Sequence, residues 1–199
     1  MRLFFATFLS PANMGNYQAL VKQLMRDVPG VLRPIPPESH HLTLAFLGEL
    51  SDADVENCRA GLAAVTELES FSFSLEPPQI LMGRGQPRLI CVDVGAGTKQ
   101  VSEVQAAIVA HLSRSIPSLK VRPKPPHVTL ARFKKSARRT EAAAVQEAID
   151  RHFETSQPWE DRLAEIHLVK SSLTPEGPIY ETLQKAHLSA DHRPTPSAR

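Results

Sequence analysis

The 199 residues are 42% hydrophobic and 22% charged, with a formal net charge of only +2. That balance supplies one sizeable core and excludes a strongly basic protein that holds nucleic acid through the field of its whole surface. Any anionic ligand must be met by local cations, and Arg122 to Lys124 and Arg132 to Arg139 form two such clusters. Cys58 and Cys91 sit in no disulfide or metal-ligand spacing, so reduced, partly buried thiols are expected, with no metal and no cofactor. No apolar run approaches the roughly 20 residues that span a bilayer. The opening segment has neither the apolar length nor the cleavage site of a signal peptide. A soluble, cytoplasmic monomer is expected.

In chain order, residues 2–8 (RLFFATF) are a short apolar run that reads as a buried strand. Ala19, Leu20, Leu24 and Val28 mark the apolar face of a helix. The prolines of 34–37 (PIPP) hold the chain extended up to the strand HHLTLAFLGEL (40–50). A helix follows from Ala53 to Leu68, with Ser51 or Asp52 as its N-cap. FSFSL (71–75) and a turn at 83–87 (GRGQP) lead into a second buried strand, RLICVDV (88–94). Val101, Val104, Ile108 and Leu112 line the next helix, PKPP (123–126) is again extended, and PPHVTLARF (125–133) is a strand. A helix from Arg139 to Phe153, capped by Ser136 or Thr140, precedes LAEIHLV (163–169), a turn (174–178) and IYETL (179–183). The polar, Pro-rich stretch 189–199 reads as a disordered tail.

A shift of 86 residues lays the chain on itself: Arg2-Leu3 falls on Arg88-Leu89, Pro37 on Pro123, and His41 to Ala45 on His127 to Ala131. Each Arg-Leu pair stands 39 residues before its histidine, with no gap needed. The repeat implies two similar lobes within residues 1–188. Because the strand at 88–94 both opens the second repeat and closes a hairpin begun in the first, the lobes are interleaved.

On a strand, residues i and i+2 share a face. His41 therefore projects with Thr43, and His127 with Thr129, while Leu42 and Val128 face the core. Two strands facing each other across a cleft would present two imidazoles and two hydroxyls to one tetrahedral group. That inventory suits phosphodiester hydrolysis, with one neutral imidazole as base and one imidazolium as acid. Arg132 is odd-spaced from His127, so only a bulge or strand end would turn it onto the same face. A single HxT on a strand is usually incidental; two at equivalent places in a repeat favour a functional pair. Adjacent His40 and His41 face opposite ways and cannot share an ion, so His40 reads as an exposed or loop-facing neighbour. His111, His152, His167, His187 and His192 read as structural or surface residues.

HHLTLAFLGEL (40–50) and PPHVTLARF (125–133) resemble the two motifs of the 2H phosphoesterase superfamily, and most closely its bacterial RNA 2',3'-cyclic phosphodiesterases, also called 2'-5' RNA ligases. RLFFA, PRLICVDVG and SSLTPEGPIYETL look similar too, so the likeness covers nearly all the chain but its tail. The resemblance implies a bilobal α+β fold whose two antiparallel sheets line a central cleft, with helices packed outside. It implies metal-independent hydrolysis of RNA 2',3'-cyclic phosphate ends, or of small cyclic phosphodiesters, to a 2'-phosphate. It carries over His41 and His127 as catalytic, with Thr43, Thr129 and Arg132 contacting phosphate. The assignment taken is His127 as base and His41 as acid. The lead-in PKPP departs from the family's usual aromatic or Arg, and Lys124 or Arg122 could replace that group. Phe5, Phe46 and Tyr180 are candidates to lie near the cleft and stack on a base, but core packing is the favoured reading of all three. The rival readings are another 2H activity, such as 2'-5' ligation or 2',5'-phosphodiester cleavage, and a non-catalytic RNA-end binder.

Overall fold

The computed structural model describes residues 1–121, 124–153, 159–174 and 177–190. Arg122, His192 and all of the expected tail 189–199 except Ser189 and Ala190 lie outside them, and Ser189 is not disordered but hydrogen-bonded to Leu68 and Ser70. Strand β1 (Arg2–Phe8) runs into helix α1 (Pro11–Asp27). Ser10 caps that helix by accepting from the Asn13 N–H, and Pro11 fills the first turn, where a missing N–H is harmless. Tyr17, Leu20, Val21 and Leu24 form its buried face. The expected Ala19 is instead exposed, because Tyr17 completes the i, i+3, i+4, i+7 stripe.

A short β2 (Leu32–Pro34) and a single 3-10 turn lead to β3 (His41–Glu49). Helix α2 (Asp52–Ala63) begins after Ser51, as expected, but stops short of Leu68. Turns then carry Val65 into the core. There follow β4 (Phe71–Ser74), β5 (Gln79–Gly83), β6 (Gln86–Asp93) and α3 (Thr98–Ser115). Next are β7 (His127–Phe133), α4 (Arg139–His152), β8 (Glu160–Leu163), β9 (Glu165–Thr174) and β10 (Gly177–His187). The cap of α4 is Arg138 rather than Ser136 or Thr140, since the Glu141 carboxylate accepts from the Arg138 N–H at 2.6 Å. Gly97 opens α3 at φ 90, where a Cβ would lie 2.7 Å from Phe73 Cβ.

The fold is α+β, and its main sheet runs β10-β9-β1-β3-β7-β6-β5 with β2 beside β7. Every pairing in it is antiparallel. Strands β3 and β7 register only at Leu42↔Val128, so two antiparallel halves meet along one seam. Helices α1 and α4 pack together, as do α2 and α3. They cover the face into which Leu42, Leu44, Val128 and Leu130 project, all at most 1% exposed. The opposite face is left open as a cleft.

FSFS does not form the hairpin expected of it. The partner of β6 is β5, joined through Arg84 and Gly85 at φ 50 and 80, the left-handed geometry of a tight two-residue hairpin turn. Strand β4 pairs with β8 in a separate two-stranded sheet. The late strand β9 pairs with β1.

Candidate active site

The Leu42↔Val128 seam sets the two HxT segments side by side. His41, Thr43, His127, Thr129 and Arg132 line one cavity of about 820 Å³. Both imidazoles are held alike. His41 Nδ1 lies 2.7 Å from the Ser39 carbonyl and His127 Nδ1 lies 3.0 Å from the Pro125 carbonyl. A carbonyl can only accept, so each Nδ1 carries the hydrogen and donates it. When a ring is neutral, Nε2 is then the nitrogen with the free lone pair.

The surroundings of the two rings differ. His41 stands among Phe4, Tyr180 and Phe8, with ring centroids 5.0, 5.3 and 5.8 Å away. Burial there pushes its pKa down to about 4 against the opposing Ser39 carbonyl, and the charges of His40, His127 and Arg132 add to the fall. His127 instead registers across from Asp93, whose carboxylate accepts from Gln79 Nε2 at 2.5 Å. Cys91 registers across from Thr129, and burial raises its thiol to about 11.

The parity problem of Arg132 is resolved by a bulge. Thr129 pairs with Cys91 and Ala131 with Ile90, so Leu130 is the extra residue and the alternation reverses after it. Strand β3 repeats the device: Thr43 pairs with Ala6 and Ala45 with Phe5, leaving Leu44 as the extra residue. Phe46 is thereby turned out, 43% exposed, onto the cleft wall. The Arg2 guanidinium lies 4.9 Å from its ring centroid.

Phe5 is fully buried in the core, as favoured, and Phe4 lines the cleft; Phe46, for which core packing is also favoured by the sequence, instead stands on the cleft wall. Tyr180 and Lys124 line it as considered. His40 is not exposed but 1% accessible, with neither ring nitrogen in a hydrogen bond. Burial lowers its pKa, against the nearby backbone of Ile35 and Leu130 and the charge of Glu38. His111 contacts Ser115, His152 pairs with Asp27, and His167 and His187 pair with Glu165. Arg2, Arg88 and Asp93 also line the cleft. The repeated Arg-Leu pair was the sequence signal for the two arginines. Among the described residues no group of three His, Cys, Asp or Glu is arranged to hold a metal. No helix among them is long and apolar enough to cross a membrane.

Known proteins resemble this chain in both sequence and fold. It is 30% identical over 197 residues to the RNA 2',3'-cyclic phosphodiesterase of Thermus thermophilus, covering 96% of this chain and 92% of that protein. It is 27% identical to the Archaeoglobus fulgidus protein of the same name, covering 92% and 98%. The crystal structure of Thermus thermophilus TT0787 superposes with a TM-score of 0.75 at 26% identity, covering 96% of this chain and all of that one. That of Escherichia coli LigT with NADP+ shares the fold, with a TM-score of 0.67 at 23% identity over 94% and 97% of the two chains. A profile of the 2'-5' RNA ligase superfamily matches residues 7–174. With that match spanning most of its length, the chain belongs to the 2'-5' RNA ligase superfamily.

Proposed function

We propose that the protein hydrolyses RNA ends bearing a 2',3'-cyclic phosphate to a 2'-phosphate by paired-histidine catalysis without a metal. The observation that carries this reading is the pair of imidazoles on one cavity, each with Nδ1 donated to the carbonyl two residues before it. The names of the relatives give the substrate class. In the reaction, a water oxygen attacks phosphorus as His127 Nε2 takes the water's proton. The bond from phosphorus to the 3' oxygen breaks, and His41 delivers a proton to that oxygen. The Thr43 and Thr129 hydroxyls and the Arg132 guanidinium stabilise charge on the remaining phosphoryl oxygens. With its pKa held at about 4, His41 is neutral at pH 7, so the arriving phosphate anion must raise that pKa for it to serve as acid. The free, buried thiols of Cys58 and Cys91 suit a reducing, cytoplasmic setting.

The test is hydrolysis of an oligoribonucleotide with a 2',3'-cyclic phosphate end, in EDTA, by the wild type, His41→Ala and His127→Ala. The expected result is conversion to a 2'-phosphate that persists in EDTA and falls roughly 10²–10⁴-fold in each variant. A folded wild type that converts nothing would overturn the hydrolytic reading in favour of an RNA-end binder. Joining or cleavage of 2',5' linkages with no action on the cyclic end would transfer the site to a different reaction.

A further inference from the structure

The cleft carries more positive charge than one reacting phosphate requires. Among the described residues, Arg2, Arg88, Lys124 and Arg132 line it, against the single carboxylate of Asp93, which already accepts from Gln79. Among the described residues none of these four cations forms an ion pair. A 2',3'-cyclic phosphate brings one negative charge, and Arg132 with the two threonines is already beside the histidines. The surplus is concentrated here in a chain whose net charge is only +2.

Arg2 and Arg88 are placed alike on the two sides. Arg2 lies on β1, two residues from Phe4, which registers with Phe46. Arg88 lies on β6, next to Leu89, which registers with Arg132. Each therefore sits one step or more further from the histidines than the cleft-wall residue beside it, Phe46 or Arg132. The Arg2 guanidinium caps the Phe46 ring. It also lies near enough to Tyr180 that it and Arg132 oppose the rise that burial imposes on the Tyr180 hydroxyl. The stem of Arg88 rests over Gly83, where a Cβ would come within 3.2 Å of Arg88 Cδ. The bare glycine thus leaves room for the arginine to lie along the cleft wall.

From this we infer that Arg2 and Arg88 contact backbone phosphates upstream of the reacting end, so that the cleft selects single-stranded RNA of several nucleotides over a cyclic mononucleotide. The inference rests on the hydrolytic reading for its reaction, but its binding can be measured without hydrolysis. Spaced phosphates supply the additional anions that the unpaired guanidiniums call for, and release of their counterions makes such binding steeply dependent on salt.

The experiment compares wild type, Arg2→Ala, Arg88→Ala, Arg88→Lys and Lys22→Ala, the last an exposed change on α1 away from the cleft. Anisotropy of a labelled tetranucleotide with a 3'-phosphate is read against salt, and kcat/KM is read on cyclic-ended tetranucleotide and mononucleotide. The expected result is that each cleft alanine weakens tetranucleotide binding about tenfold and flattens the log–log salt slope by about 0.7. The kcat/KM penalty should be several-fold larger for the tetranucleotide than for the mononucleotide, with Arg88→Lys partly restored and Lys22→Ala near wild type. Equal penalties on both substrates, or an unchanged salt slope, would overturn the inference. A wild type that hydrolyses neither substrate would instead sink the proposed reaction, while the anisotropy would still decide the role of the arginines.

Discussion

Phe46 and Arg132 stand at the same place in the two halves of the sheet. Each lies three residues past its threonine and two past the bulged leucine that turns it onto the cleft wall. A shared backbone device therefore presents an aromatic face on one side and a guanidinium on the other. One site acquires two unlike walls, the first suited to stacking on a base and the second to an anionic phosphoryl group.

The two walls should fail differently. Arg132→Ala is expected to lower kcat by about 10²–10³, the usual cost of losing one group that stabilises developing charge. Phe46→Ala should mainly weaken substrate binding, by about 1–3 kcal/mol. Steady-state kinetics on a cyclic-ended oligonucleotide separates the two effects. A Phe46→Ala variant that lost kcat with binding unchanged would show that its ring serves the chemistry instead.

Substrate binding should be accompanied by proton uptake near neutral pH. Burial holds His41 at about 4, and an adjacent phosphate anion favours its charged form. Calorimetry of a 2',3'-cyclic-phosphate oligonucleotide binding to His127→Ala, in buffers of different ionisation enthalpy, measures that uptake at pH 6 to 7, where the diester itself does not titrate. Zero uptake would exclude His41 as the acid. Phe4→Ala, which opens the aromatic surroundings, should move the imidazole resonance titration of His41 upward from about 4.

The same burial makes the fold sensitive to acid. An unfolded histidine titrates near 6.5, whereas folded His41 titrates at about 4, so the unfolded chain binds the proton first as pH falls. The stabilising contribution is complete above about 6.5 and is lost between there and 4, by up to about 3 kcal/mol. His40, shifted the same way by burial, adds to the loss. Urea unfolding at pH 7 and 4.5 should show it, with His40→Leu losing less on acidification than wild type.

Leu42 is the structural counterpart of the chemistry, since it is the β3 residue at the seam and is wholly buried. Leu42→Ala should cost about 2–5 kcal/mol. It should also reduce activity in molecules that remain folded, because the two histidines are positioned through this pair. Full activity in a folded Leu42→Ala protein would show that the helices alone hold the halves in register.

Much of this was legible in the residues themselves. The HxT parity, the need for a bulge before Arg132 and the helix face of Val101, Val104, Ile108 and Leu112 are local consequences of period 2 and period 3.6. What escaped depends on pairing between distant segments. Strand β5 follows two prolines and β8 is polar, so neither displays alternation strong enough to mark it. Phe46 reaches the cleft wall only because Leu44 is an extra residue on β3 opposite the pairing of Ala6 and Phe5, which no local pattern announces. His40 is buried beside the backbone of Ile35 and Leu130, neighbours brought by distant chain segments that local parity does not reveal.

The pairing of β9 with β1 has a consequence for the nascent chain. During synthesis, β1, α1 and β3 emerge first, yet one edge of β1 stays unpaired until residues beyond 165 have been made. The half-sheet that carries His41 can therefore close only after the His127 strand has been made. Tyr180, which completes the aromatic surroundings of His41, arrives later still. Assembly of the pocket therefore waits for residues 165–180, and a truncated product ending before β9 would lack a finished His41 environment.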